Sequence, residues 1–345
     1  MNNFDNKAVD VNAMIKNLKG KEDPVLLKTL FDMVCFEKPI IKENKNVSQL
    51  SDDELFGKFF PYNFNHTEKR YLLPYFQEVY NRFALNNNHD GRYQVKFNPT
   101  KDFKPYGQTS AYNSDIILNY SFVSKMKKKD FDYYLGADRR TVSSFMLMTL
   151  FHEAEHTFQF DKALDFATNK DVSGKNAIFL LELLVKKYVF ENAVDGKLPE
   201  NLKNFASKIN SSYSLSFMEH DANMTAFNTA SNLIKTNILG NNHKIVMKDA
   251  LERRCKTFLE YNIFNCKTTN LSQKSQEMQD TINLYTDFVE ANFEDGEIKN
   301  RLIKQVREYT KTDKNGNSKF KNDIMDDYNT CIKYANIKED EIVFN

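Results

Sequence analysis

The sequence predicts a mainly helical α+β protein, with a small β-sheet between helical N- and C-terminal regions. Helical periodicity dominates the chain. Only two short stretches read as strands, and both precede the strongest amphipathic helix. Of the 345 residues 41% are hydrophobic and 28% charged, enough apolar material to bury a core and too much for wholesale disorder.

Residues 1–60 read as short helical pieces between polar loops. Pro24 suits a first helical turn before Val25-Leu26-Leu27 and Leu30-Phe31. A second helix is expected from about Thr67 to Leu85, with Tyr71, Leu72, Tyr75, Val79 and Phe83 at helical spacing. The polar run Asn86 to Gly91 ends it. Tyr93-Gln94-Val95-Lys96-Phe97 alternates and reads as a strand. A loop with Pro99, Pro105 and Gly107 follows, then Ile116-Ile117-Leu118-Asn119 as a second strand. From Arg139 to about Phe160 the pattern turns helical, with Asp138 as N-cap. Leu147, Leu150, Phe151, Ala154 and Phe158 form one apolar stripe. Helices are expected near Ala177–Glu191 and Leu215–Ile238. From about Lys244 onward the chain is mostly helical, with a turn at Asp313-Lys314-Asn315-Gly316-Asn317.

Several function classes are excluded early. The formal net charge is +1, from 48 Lys+Arg against 47 Asp+Glu, which does not supply the basic footprint of a nucleic-acid binder. The Lys125 to Lys129 run reads as a solvated segment. No apolar run reaches the roughly 18–20 residues of a membrane span. The longest, Ala177 to Val185, is broken by Glu182 and reads as a buried helix. Residues 1–20 lack an apolar stretch of signal-peptide length, so the chain as given reads as cytoplasmic. Cys35, Cys255, Cys266 and Cys331 form no CxxC pair and read as scattered reduced thiols. No phosphate-binding glycine loop and no G-x-S-x-G elbow is present. Asp313-x-Asn315-x-Asn317 is not a calcium loop, because Ser318 replaces the required Gly and Ile324 the bidentate Glu.

His152-Glu153-Ala154-Glu155-His156 is an H-E-x-x-H sequence in the middle of the amphipathic helix. Residues i and i+4 share a helix face with Cβ atoms roughly 5–6 Å apart. Two imidazoles so placed can converge on one Zn²⁺ at about 2.0–2.1 Å per nitrogen. Glu153, one step round the helix, can reach a water on the open metal position and take its proton. The apolar stripe lies on the opposite face, so the helix can bury its back and turn both histidines to a cleft.

A catalytic zinc needs a third protein ligand. Glu219 is the leading candidate, on the expected helix Phe217-Met218-Glu219-His220-Asp221-Ala222-Asn223-Met224-Thr225-Ala226. Ala222 and Ala226 would let that helix pack closely on the first. Asp221 is a rival ligand, or a partner for a ligand imidazole N–H. His220 is a third possibility. Gln159 shares the ligand face and reads as a surface residue. Tyr112, Tyr213 and His220 are oxyanion candidates only through closeness to the motifs.

The order helix, strand, strand, H-E-x-x-H helix, Glu-bearing helix resembles the zincin metallopeptidase core, and its gluzincin group in particular. Glu219-His220-Asp221-Ala222-Asn223 with Ala226 resembles the E-x-x-A-N-x-x-A form of small zincin-like proteases related to ImmA and IrrE. The resemblance covers about residues 67–235. The 63 residues from His156 to Glu219 exceed what the compact relatives use. Gln159 and Lys162 stand where the metzincin pattern needs Gly and His, which excludes that group. Gly107 to Asn119 resembles the edge strand on which zincins dock an extended substrate, which implies peptide pairing by backbone groups around Ile117 and Leu118.

The resemblance implies a zincin-like core over residues 67–240 and says little about either end; the residue pattern gives helical regions over 1–66 and 241–345. The resemblance implies a zinc metallopeptidase with His152, His156 and Glu219 as ligands, Glu153 as general base and a protein or peptide as substrate. Two other readings stay open: a zincin-fold binding or regulatory protein that holds zinc without proteolysis, and a zinc amidohydrolase acting on a non-peptide substrate.

Overall fold

The structure is a computed structural model. It describes residues 16, 18, 20–32, 44–59, 69–89, 91, 93–98, 106–110, 115–119, 141–194, 215–264 and 271–336. The mainly helical α+β expectation holds. In chain order the elements are α1 (Pro24–Asp32), α2 (Lys45–Ser48), α3 (Asp52–Gly57), α4 (Lys69–Asn86), β1 (Gln94–Phe97), β2 (Gly107–Ser110), β3 (Asp115–Leu118), α5 (Thr141–Ala167), α6 (Gly174–Val194), α7 (Phe217–Lys235), α8 (Asn241–Leu259), α9 (Leu271–Asn292), α10 (Glu297–Thr310) and α11 (Lys319–Ala335). A π-helical turn, Glu260–Phe264, extends α8. No helix among the described residues is long and apolar enough to cross a membrane.

The chain divides into two compact units, each built from three separated stretches. One comprises Met1–Val34, Gln159–Glu219 and Ser275–Ile324. The other comprises Cys35–Phe158, His220–Lys274 and Met325–Asn345.

In the first unit α6 packs against α10 and α1. Ile178, Phe179, Leu180, Leu181, Leu184 and Val185 of α6 are all fully buried, as expected of a buried helix. Phe217 stacks on Phe179 and tilts against Phe320, with ring centroids 5.5 Å apart in both pairs. Pro24 opens α1 as expected, and the Asp23 side chain accepts Val25 N–H at 2.8 Å. The Asp313 turn also forms. Asp313 Oδ1 accepts the N–H groups of Asn315 and Asn317, and Gly316 supplies the positive φ of +77°.

The second unit holds the sheet, in the order β1-β3-β2. β3 runs parallel to β1 and antiparallel to β2, with Ile117 opposite Lys96 on one side and Gln108 on the other. β2 corrects the residue pattern, which reads Gly107 as loop, and falls within the Gly107 to Asn119 stretch that resembles an edge strand. α4 covers the outer edge of β1. Gln77 of α4 donates to Tyr93 O at 3.0 Å and accepts Val95 N–H at 2.7 Å. Phe83 of α4 packs on Phe151 and Phe158, with centroids 5.0 and 5.5 Å apart, which ties α4 to the apolar stripe.

Cys255 and Cys331 are buried free thiols, and Cys331 Sγ donates to Cys255 O at 3.7 Å. Burial, with Cys255 beside it, pushes the Cys331 thiol pKa well up, which keeps it protonated. Cys35, Cys266, Asp138, the Lys125 to Lys129 run, Tyr112 and Tyr213 lie outside the described residues.

Candidate metal centre

α5 runs seven residues beyond the expected end at Phe160, so the H-E-x-x-H sequence sits in a helix of 27 residues. Leu147, Leu150, Phe151, Ala154 and Phe158 are all buried, as the stripe requires. The opposite face is buried as well: His152, Glu153, Glu155 and Gln159 are all buried. His156 and Glu219 are half-buried. A polar helix face taken out of water needs partners for its polar atoms. β2 and α7 supply several of them.

The structure brings His152, His156 and Glu219 together. One ligand atom from each lies within 4.8 Å of the other two. The two imidazoles stand edge to face with centroids 4.8 Å apart. Donor atoms on one tetrahedral zinc, at about 2.0–2.1 Å each, sit roughly 3.3 Å from one another. Small side-chain rotations close that difference. Two imidazoles and one carboxylate are a donor set that suits zinc and leaves a coordination position for water. The residues present therefore fit the metal.

His220 and Asp221 are not part of this group. His220 points elsewhere: its Nε2 lies 3.0 Å from Asp327 Oδ2, and its ring packs against Tyr328 and Phe258. Among the described residues it is not brought together with His152 and His156. Asp221 is buried next to it in sequence.

Glu153 is held by β2. Thr109 Oγ1 lies 2.8 Å from both Glu153 Oε2 and the Glu153 carbonyl oxygen, and its single proton serves one of the two. Gly107 makes this approach possible. A Cβ there would lie 2.6 Å from Glu153 Oε1 and 2.8 Å from Thr149 Cγ2. Only glycine lets the strand come this close to the helix. Gly107→Ala is accordingly expected to lower stability by about 1–3 kcal/mol through overpacking. Gly57→Ala, whose Cβ meets nothing within 4 Å, should be neutral or slightly stabilising. Thermal unfolding of the two variants beside wild type checks the contrast, and equal midpoints would contradict it.

The strand assignment needs correction. Ile117 and Leu118 lie on β3, the central strand, paired on both sides, so their backbone groups cannot receive a peptide. Among the described residues the open edge belongs to β2, where the side chain of Gln108 is exposed. Sequence order hides this, because β3 follows β2 in the chain yet inserts between β2 and β1.

Two further residues bear on the site. Gln159 is fully buried, contrary to its surface reading, and its amide donates to Met218 O at 3.0 Å. Glu182 is fully buried on α6 and accepts N–H bonds from Phe217 at 2.8 Å and Met218 at 3.1 Å, at the start of the Glu219 helix. Its signal was in the sequence: a lone carboxylate inside an apolar helical run must have a partner. Gln159 offered no such signal. Comparison of the chain with protein-family models, curated proteins and solved structures returns no match.

Proposed function

We propose that the chain is a zinc metallopeptidase of the gluzincin type, with His152, His156 and Glu219 as zinc ligands and Glu153 as general base. The observation that carries the reading is the convergence of these three side chains, with the Glu153 carboxylate held on the adjoining strand. Zinc in that set would supply a Lewis acid and lower the pKa of a water toward about 7.

The chain's own residues account for the rest. Glu153 takes the proton of the attacking water and returns it to the departing amine. Thr109 steadies the carboxylate whenever its hydroxyl proton is turned to Oε2. An extended peptide pairs with the edge of β2 around Gln108, which no strand covers among the described residues. The edge of β1 does not compete, because Gln77 occupies it.

A protein or peptide is therefore the substrate. Incubation with a mixed-sequence peptide library, read by mass spectrometry, tests this. Cleavage should disappear with a zinc chelator such as 1,10-phenanthroline and return when zinc is restored. A protein that holds zinc and cleaves no peptide would favour the binding or amidohydrolase readings instead.

A further inference from the structure

We propose that Glu182 and Gln159 are positioning residues for Glu219. Together they grip the peptide groups on either side of Met218 and so set where the third ligand carboxylate stands. The proposal rests on the reading that His152, His156 and Glu219 bind zinc.

The opening N–H groups of a helix have no partner within it. In α7 that role falls partly to Ser216, whose Oγ accepts Glu219 N–H at a long 3.4 Å. The stronger bonds come from a residue 35 positions earlier. Glu182 Oε1 accepts Phe217 N–H at 2.8 Å, and Oε2 accepts Met218 N–H at 3.1 Å. Ser216 Oγ and Lys186 Nζ also donate to Oε2, at 2.9 and 3.3 Å, and Lys186 donates to Ser216 Oγ at 2.7 Å. From the other side Gln159, three residues beyond His156 on α5, donates to Met218 O at 3.0 Å. The residue directly before the ligand thus has its N–H held from α6 and its C=O held from the histidine helix.

An ordinary helix cap needs none of this. Ser216 already stands where such a cap does and reaches Glu219 N–H, while the two N–H groups before it are taken by a buried ion. A buried carboxylate with four donors sets a geometry that a surface cap leaves loose. Metal sites depend on such support, since a ligand displaced by about half an ångström already weakens binding.

Zinc affinity, measured by competition with a chromophoric chelator, tests the proposal in a double-mutant cycle. Glu182→Gln keeps the shape but turns an amide N–H toward backbone N–H groups. It should weaken zinc ten- to hundredfold when Glu219 is present, in the range found for groups that orient metal ligands. In the Glu219→Ala background the same change should alter the residual two-histidine affinity less than about threefold, because its effect passes through Glu219. Gln159→Met should show the same dependence on Glu219, and it carries the test if Glu182→Gln does not fold. Ser318→Ala, which removes the cap of α11, should lower the unfolding midpoint and leave zinc affinity unchanged. Equal losses in both backgrounds, or no loss in either, would overturn the proposal while zinc binding by wild type still stood. No zinc on wild type would remove the underlying reading, and the proposal with it.

Discussion

Glu153→Gln is expected to abolish turnover and leave zinc in place. The substitution keeps the side-chain length and an oxygen that can accept from Thr109 Oγ1, so β2 and α5 should keep their contact. What disappears is the capacity to take a proton from water and give it to the leaving amine. General acid–base groups contribute about 10²–10⁴ in rate, and the loss should appear in kcat on a peptide drawn from the library screen. Zinc content should match wild type, because Glu153 is not a ligand. A variant that keeps its zinc and cleaves within tenfold of wild type would remove Glu153 from the mechanism. Retained zinc with lost cleavage would also set the enzyme reading apart from a zinc-holding scaffold, for which the substitution has no activity to remove.

The H-E-x-x-H helix was legible because its chemistry and its packing share one period. Histidines four apart define a face, and the apolar residues at three- and four-residue spacing define the opposite one. Glu219 was legible as a carboxylate on a second helix with alanines one and two turns on, and both alanines are fully buried. The sheet was only half legible. Val95, Ile116 and Leu118 announce β1 and β3 by their buried apolar side chains. β2 is Gly-Gln-Thr-Ser, a segment in which only Thr109 favours a strand, and it pairs with β3. Its contacts are equally hidden: Gly107 matters through a missing Cβ, and Thr109 through a hydroxyl facing a helix 44 residues away. Ile117 and Leu118 were misplaced because strand order in a sheet need not follow chain order. Gln159 was misread for a related reason. A polar side chain on a ligand face looks solvated until the carbonyl 59 residues downstream that receives it is known. Glu182 could have been read correctly, since a carboxylate among Leu180, Leu181, Leu184 and Val185 has to be paired.

The second large effect concerns the metal. Two imidazoles and a carboxylate should hold one zinc per chain, and each ligand lost should be felt strongly. His152→Ala removes a buried donor and leaves His156 and Glu219, a set too small to keep zinc through purification. Glu219→Ala leaves the two histidines and should bind zinc only weakly. Binding to the folded state alone also raises stability, by about 2.7 kcal/mol at a free zinc concentration one hundred times Kd. Zinc should therefore raise the unfolding midpoint of wild type and leave that of His152→Ala unmoved.

The most direct test of the central claim is the metal content of protein purified without a metal-affinity tag, measured by elemental mass spectrometry beside His152→Ala. The account predicts about one zinc per wild-type chain and none in the variant. Wild-type protein that carries no zinc, even after zinc is supplied and the excess removed, would contradict it.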